Sequence, residues 1–151
     1  MTNCKEALEY YLDKEKEKRK LVYPAIYRHF KHEEDGPLNN YMYAVMGLIK
    51  YINPDDYVDY FKKPYVYLKK FSAQHTERSS KPLRGRYITV FEKDGCFYST
   101  SIEKGEILVL YKSLYDGHKA YARPLDMFLE EVPEGKENPS GQKYRFELVR
   151  Y

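Results

Sequence analysis

The sequence predicts a mainly β (α+β) fold, a small β barrel or roll that carries two helices. Two dense segments support this prediction, residues 27–31, YRHFK, and residues 107–132, ILVLYKSLYDGHKAYARPLDMFLEEV. The first contains the aromatic residues Tyr27 and Phe30, and the second is rich in the apolar, β-branched and aromatic residues that are typical of strands. We interpret them as two halves of one β domain, separated by long polar stretches that are rich in tyrosine.

Length and composition limit the class of protein. The chain has 151 residues, of which 42% are hydrophobic and 32% are charged. A domain of this size buries roughly two-thirds of its unfolded surface, which provides one modest core. Because the composition is too apolar for disorder and charged residues interrupt the apolar stretches, neither general disorder nor a membrane span is expected.

We expect a cytoplasmic protein whose cysteines are free. Residues 1–6, MTNCKE, lack the basic patch and the apolar stretch of a secretory signal. Cys4 and Cys96 lie far apart in the sequence with no second thiol beside either. This spacing argues against a disulfide framework and against a zinc site of the Cys-x-x-Cys type.

Charge and aromatic content leave two interpretations open. The net charge of +3 and the pI near 8.6 are only mildly basic, which is less than a nucleic-acid binder usually shows but compatible with an anionic ligand. The chain contains 18 Tyr and 7 Phe but no Trp. The tyrosines either reflect an AT-rich coding bias and fill core and surface, or they form a binding surface in which rings stack and hydroxyls hydrogen-bond.

Residues 3–20 predict an N-terminal helix, so we divide the chain into this helix, residues 1–20, and a single domain, residues 21–151. After a short apolar stripe, residues 13–20 are almost all charged, and we expect this part of the helix to be solvated. The apolar stripe consists of Ala7, Leu8, Tyr11 and Leu12.

Two strands are predicted in the first part of the domain. Residues 22–31 form the first strand, which Pro24 interrupts near its start. Residues 41–52, YMYAVMGLIKYI, indicate a strand buried on both faces, with Gly47 as a bulge or a point of close approach. A short helix is the alternative there. Turn residues follow at 53–56.

The middle of the chain gives a weaker signal. Residues 65–86 show no firm periodicity, and residues 74–82, QHTERSSKP, have the composition of a flexible loop or of a local crossing between subdomains. Order returns with two strands joined by Asp94 and Gly95, a pair that strongly favours a hairpin. The strands predicted after the loop are residues 87–91, 96–100, 107–111 and 119–123.

A short helix should begin at Pro124, because proline suits the first position of a helix. Residues 133–135, Pro-Glu-Gly, are expected to end it, and residues 144–149 alternate like an edge strand that returns to the sheet. The apolar face of the helix consists of Leu125, Phe128, Leu129 and Val132.

Several motifs, taken in order, resemble the bacterial domain of unknown function 1653 family. The resemblance covers about half of the chain and implies an SH3-type β roll capped by a short helix, but it implies no activity. Residues from about 52 to 98 stand where family members have a tight turn, so we interpret them as a long tyrosine-rich insertion. The motifs are residues 27–31, 43–47, 106–115, 123–128 and 145–148.

Patterns of catalytic and metal-binding residues are weak. His29 and His32 are three positions apart, which places them on opposite faces of a strand, and no thiol or obvious carboxylate completes a metal site. The sequence contains no Gly-rich phosphate loop, Gly-x-Ser-x-Gly elbow or His-Glu-x-x-His motif. We therefore predict a protein without cofactor or metal that is not an enzyme, although a nucleophilic cysteine paired with a distant histidine stays open.

Eight residues form the predicted ligand site. The family pattern and the local structure place its cationic members near strand ends, where tyrosines can complete a cationic, aromatic-walled groove. In the alternative, Arg123 pairs with a carboxylate such as Glu130 and the rings only fill the core. The eight residues are Arg28, His29, Lys31, Tyr43, Tyr111, Tyr115, Tyr121 and Arg123.

Three functions follow, in this order. The first is a binding module of a bacterium or phage for a small anionic, nucleotide-like ligand or a protein segment. The second is a nucleic-acid-associated protein, and the third is an assembly protein that dimerises through the tyrosine-rich insertion. The nucleic-acid hypothesis depends on Lys62, Lys63, Lys69, Lys70, Lys81, Arg84 and Arg86 with Tyr57, Tyr60, Tyr65 and Tyr67.

Overall fold

The computed structural model describes residues 19–33, 36–55, 69–78, 82–115 and 117–150. Almost all of the predicted N-terminal helix, residues 3–20, lies outside these residues. Arg19 belongs to the described part and is not helical. Its guanidinium donates hydrogen bonds to the carbonyl oxygens of Leu129 and Phe146 and lies 4.1 Å from the centre of the Tyr144 ring, which fixes residue 19 against the domain.

Most of the regular structure is β, as predicted. The described residues also include the short helices α1 (Leu83–Arg86) and α2 (Leu125–Leu129) and a 3-10 turn (Thr76–Arg78). The strands are β1 (Ala25–His29), β2 (Met42–Tyr51), β3 (Lys69–His75), β4 (Tyr87–Lys93), β5 (Cys96–Ser99), β6 (Ile107–Ser113), β7 (Ala120–Pro124) and β8 (Phe146–Arg150).

Six of the strands close into a barrel in the order β5-β4-β3-β7-β6-β2, and β2 pairs again with β5. The two parallel pairings, β2 with β5 and β3 with β7, join segments that are distant in the sequence. Strands β1 and β8 extend the sheet beyond β2. The small mainly β barrel predicted from the sequence is therefore confirmed, and β8 is an edge strand that pairs with β1.

The sheet carries a hydrophobic core on each face. Leu108 and Leu110 of β6 point into the barrel, whereas Val109 and Tyr111 point to its outer face, where α2, β1 and β8 cover them. All four residues are at most 2% exposed. The run of consecutive apolar residues in β6 thus reflects a strand buried on both sides. We call the two cores the barrel core and the outer core.

The prediction of a strand with a bulge at Gly47 is confirmed, and the helical alternative is wrong. The register of β2 against β6 shifts between Val45 and Gly47. A Cβ atom at Gly47 would lie 3.0 Å from Cε2 of Phe97, so this position is also the predicted point of close approach.

The prediction of a loop over residues 74–82 is wrong at its start, because Gln74 and His75 belong to β3. This strand buries only Ala73 and His75, and its remaining residues are half-buried or exposed, which explains why periodicity did not reveal it. The segment interpreted as an insertion supplies β3, β4 and the start of β5. It therefore builds half of the barrel wall.

The predicted hairpin at Asp94 and Gly95 is confirmed. Both residues have positive φ, 53° and 78°, as a tight two-residue β turn requires. The helix after Pro124 is also present, but it ends at Leu129 rather than near Pro133. Val132 is outside the helix, because its N–H donates to the carbonyl of Lys143 at 2.9 Å.

The prediction of free thiols is wrong for Cys96, which is disulfide-bonded. Distance along the sequence does not keep two thiols apart in a folded chain. Within the described residues, no helix has the length and hydropathy needed to cross a membrane.

Candidate functional site

Strand register brings several of the predicted site residues to one face of the sheet. Tyr43 of β2 lies opposite Tyr27, and Tyr111 of β6 lies opposite both Val45 and Tyr121. Directly opposed residues of paired strands share a face. Tyr43, Tyr111 and Tyr121 therefore lie together on the outer face of the barrel.

Five residues form what we call the tyrosine–arginine cluster. Tyr111 is its centre, with 2% of the residue exposed, and the other members are half-buried. Tyr111 stacks on Tyr121 with ring centres 5.6 Å apart and meets the edge of Tyr43 at 5.2 Å. The hydroxyls of Tyr43 and Tyr115 are 3.3 Å apart. The members are Tyr43, Tyr111, Tyr115, Tyr121 and Arg123.

Arg123 is positioned by aromatic residues. Its Nε donates a hydrogen bond of 3.1 Å to the hydroxyl oxygen of Tyr111, and its guanidinium carbon lies 5.5 Å from the centre of the Phe146 ring. Nη1 is 3.9 Å from Oε1 of Glu77, beyond hydrogen-bond distance. The side chain keeps 16% of its surface exposed.

Glu130, the carboxylate named in the alternative, pairs with Arg145 rather than with Arg123, whose described ion-pair partner is Glu77. Oε1 of Glu130 accepts hydrogen bonds from Nε and Nη2 of Arg145 at 2.9 and 2.7 Å. The carbonyl of Glu130 also accepts the N–H of Arg145. Glu130 is close to Arg123 in the sequence, but the chain before β8 brings Arg145 to Glu130 in the folded protein.

His29 lies beside the cluster and is neutral. It is buried, it lies opposite Phe146, and its Nδ1 accepts the N–H of Lys31 at 3.2 Å. Burial lowers the pKa of His29 to about 3, with further lowering by Arg123 and Arg145. Since Nδ1 is an acceptor, the proton of the neutral ring is on Nε2. His29 can donate a hydrogen bond but carries no charge near neutral pH.

Arg28 and Lys31 do not join the cluster. Arg28 lies opposite Met42 and Glu147, on the other face of β1 from His29, and its Nη2 donates to the carbonyl of Leu38 at 2.7 Å. Lys31 follows the end of β1 and is exposed. Of the eight predicted site residues, the structure therefore brings five together with His29 adjacent, and places two elsewhere.

Sequence reasoning missed three residues that are linked to one another by hydrogen bonds, His75, Glu77 and Glu106, of which Glu77 lies 3.9 Å from Arg123. His75 is 3% exposed, and its Nε2 is 2.9 Å from Oε2 of Glu106. Its Nδ1 accepts the N–H of Glu77 at 3.2 Å. Both ring nitrogens of His75 are therefore in hydrogen bonds. The side chain connects Glu106 to the backbone of Glu77, and neither nitrogen is available to accept a proton from a ligand. In the sequence, the alternation of Ala73 and His75 within a polar segment is the feature that could have indicated a strand leading to Glu77.

Glu106 is ionised in this arrangement. Burial by itself raises the pKa of the Glu106 carboxyl, but hydrogen bonds from the Glu103 N–H and from His75, together with the charge of Arg78, outweigh it and leave the pKa below its usual value. The Glu106 carboxylate therefore stays negative and anchors the Nε2–H of His75.

Most residues of the nucleic-acid hypothesis lie outside the described part of the chain. Lys69 and Lys70 are exposed on β3, and Lys69 lies opposite Glu92 of β4. The opposed carboxylate reduces the local positive charge at Lys69. Residues outside the described ranges are Lys62, Lys63, Lys81, Tyr57, Tyr60, Tyr65 and Tyr67, and the side chain of Arg84 is likewise not described.

Comparison with known families gives one match. Residues 97–148 match the model of a family described as a protein of unknown function (DUF1653), which confirms the family resemblance over this segment. The match covers β5, β6, β7, α2 and the start of β8, and with them four of the five cluster residues. Neither the curated proteins nor the solved structures contain a significant match.

Proposed function

We propose that this protein, whose residues 97–148 match the DUF1653 family, is a non-enzymatic binding module that recognises a small anionic ligand with a flat, nucleotide-like group. Arg123 would hold the anion, and Tyr43, Tyr115 and Tyr121 would form the wall beside it. One observation carries the proposal. The guanidinium of Arg123 is oriented by Tyr111 and Phe146, while the closest carboxylate oxygen among the described residues, Oε1 of Glu77, is 3.9 Å from Nη1.

The chemistry of arginine supports an anion at this position. The guanidinium is a planar fork that donates several parallel hydrogen bonds to a carboxylate or phosphate. Its Nε is engaged by Tyr111, so the terminal nitrogens form the edge that an anion would meet. A cation–π contact with Phe146, whose ring centre is 5.5 Å from the guanidinium carbon, helps to hold the fork in place. A donor oriented before binding loses less side-chain freedom when the ligand arrives.

The surrounding rings suit a flat ligand. Tyr43, Tyr115 and Tyr121 are half-buried, so each presents part of a ring at the edge of the outer core. Tyrosine offers an apolar face and a polar tip, which allows stacking and hydrogen bonding to the same ligand. A nucleobase next to a phosphate combines both properties in one small molecule.

The buried histidines support binding rather than catalysis. With a pKa near 3, His29 is a poor proton acceptor at neutral pH, where an efficient general base needs a pKa near the working pH. The second buried histidine, His75, has both ring nitrogens in hydrogen bonds. The charge at the cluster therefore comes from Arg123 rather than from His29.

Isothermal titration calorimetry tests this function. The ligands are nucleoside monophosphates, cyclic nucleotides and acidic peptides, titrated into the wild type, Arg123→Gln and Lys112→Gln. Lys112 is an exposed residue of β6 on the other face from Tyr111, so its replacement removes the same charge without touching the cluster. We expect binding that Arg123→Gln abolishes and Lys112→Gln preserves. Equal loss in both variants, or no binding by the wild type, would reject the function, and selective binding of acidic peptides would replace the ligand class.

A further inference from the structure

We infer that Glu77 tunes the charge preference of the site at Arg123, and that it weakens phosphate monoester dianions more than aromatic monoanions such as a phosphodiester or carboxylate. This inference rests on the proposed function. Glu77 is the carboxylate that faces Arg123, with Oε1 3.9 Å from Nη1. Any anion that approaches this nitrogen meets the negative charge of Glu77.

The register of the barrel places Glu77 at this position. Strand β3 runs parallel to β7, with Gln74 beside Tyr121 and His75 beside Ala122. The chain continues from β3 directly into the 3-10 turn that carries Glu77, and Arg123 is the next residue of β7. The parallel pairing therefore brings residue 77 next to Arg123 whatever ligand is present.

The backbone of Glu77 is fixed while its carboxylate is not. Its N–H donates to Nδ1 of His75, and His75 is held in turn by the Glu106 carboxylate at 2.9 Å. By contrast, 40% of the Glu77 side chain is exposed, against 16% for Arg123. Ion pairs that are this exposed and this long contribute little to stability. The carboxylate can therefore turn away from Arg123 by a rotamer change, without moving β3.

Two effects of Glu77 on an incoming anion follow. Its carboxylate competes with the ligand for Nη1 of Arg123, and this competition lowers the affinity of every anion by the same factor. Its charge also repels the bound ligand in proportion to the ligand's own charge. For charges about 5 Å apart in water, Coulomb's law gives roughly a fourfold loss of affinity for each unit of ligand charge. A dianion is therefore weakened about fourfold more than a monoanion.

The experiment compares AMP with cyclic AMP, which share a base and a ribose but carry about two charges and one charge at pH 8. Calorimetric affinities are measured for the wild type, Glu77→Gln and Glu131→Gln. Glu131 is an exposed carboxylate in a different ion pair, 3.6 Å from Lys143, and serves as the matched control. Glu77→Gln keeps the N–H that binds His75, and Glu77→Ala provides a second variant if the first is unstable.

We expect Glu77→Gln to bind both ligands more tightly than the wild type. The ratio of the affinity for AMP to that for cyclic AMP should rise about fourfold, and Glu131→Gln should change neither affinity. If Glu77→Gln binds like the wild type and Arg123→Gln abolishes binding, the role of Glu77 is refuted and the proposed function stands. If no protein binds either nucleotide, both are refuted.

Discussion

The Nε–H of Arg123 donates a hydrogen bond of 3.1 Å to the hydroxyl oxygen of Tyr111, a residue that is only 2% exposed. This contact joins neighbouring strands β6 and β7 on the outer face of the barrel. Burial raises the pKa of Tyr111 above its ordinary value, and Arg123 opposes that shift only in part, so the phenol stays neutral. A neutral acceptor orients the guanidinium without neutralising its charge.

Replacing Tyr111 by phenylalanine tests this role. Tyr111→Phe removes the acceptor and leaves a half-buried donor without its partner, which should lower the free energy of unfolding by about 1–2 kcal/mol. It should also weaken any anion bound at Arg123, because the guanidinium loses its fixed orientation. Urea unfolding and calorimetry measure the two effects. Tyr87→Phe, at a residue 42% exposed, is the control and should change neither.

His29 predicts a dependence of stability on pH. Its pKa is about 3 in the folded protein and about 6.5 in the unfolded chain, so the unfolded chain takes up a proton first as the pH falls. The stability that depends on neutral His29 is complete above pH 6.5 and decreases as the pH falls towards 3. Linkage gives a loss of about 2 kcal/mol between pH 7 and pH 5 from this residue.

The measurement is the urea midpoint at pH 7 and pH 5 for the wild type and His29→Asn. The asparagine side chain can accept the N–H of Lys31 but does not titrate, so the variant should lose less stability on acidification than the wild type. His118→Asn, at an exposed histidine, should follow the wild type. An identical pH response in His29→Asn and wild type would contradict the neutral, buried state of His29.

The sequence predicted those strands whose own residues show a strand or turn pattern. Residues 107–111 combine β-branched and large apolar residues without a polar break, which indicated a strand, and Asp94 with Gly95 specified a two-residue turn. In β3 the signal was missing, because Lys69, Lys70 and Ser72 face solvent. A strand with so few buried residues is held by its pairing with β4 and β7.

For the candidate site too, the sequence predicted the residues of neighbouring strands and missed those that distant segments contribute. Tyr111, Tyr121 and Arg123 come from the β6–β7 hairpin, where local alternation fixes the face of each side chain. Glu77 and His75 reach Arg123 through the parallel pairing of β3 with β7, a contact between distant segments that no local pattern encodes. The pairing of Glu130 with Arg145 depends in the same way on the return of β8.

Replacing Phe128 tests whether this residue anchors α2 on the outer core. Its ring is fully buried, stacks on Phe146 with centres 4.1 Å apart and meets the edge of Tyr27 at 5.3 Å. Phe128→Ala should lower the free energy of unfolding by about 3–5 kcal/mol, since it removes these contacts and leaves a cavity. Met127→Ala, at the half-buried neighbour in the same helix, should cost clearly less. Similar losses in urea unfolding would show that α2 is not anchored through Phe128.

Gly47 tests the close approach at the bulge of β2. A Cβ atom there would lie 3.0 Å from Cε2 and 3.1 Å from Cδ2 of Phe97, a side chain that is 7% exposed and closely packed. Gly47→Ala should therefore cost about 1–3 kcal/mol through overpacking. Phe97→Leu opens space at this point, so the double variant should be more stable than the sum of the single losses implies. Urea unfolding of the four proteins measures this coupling, and strictly additive losses would show that Phe97 is not what excludes a side chain at position 47.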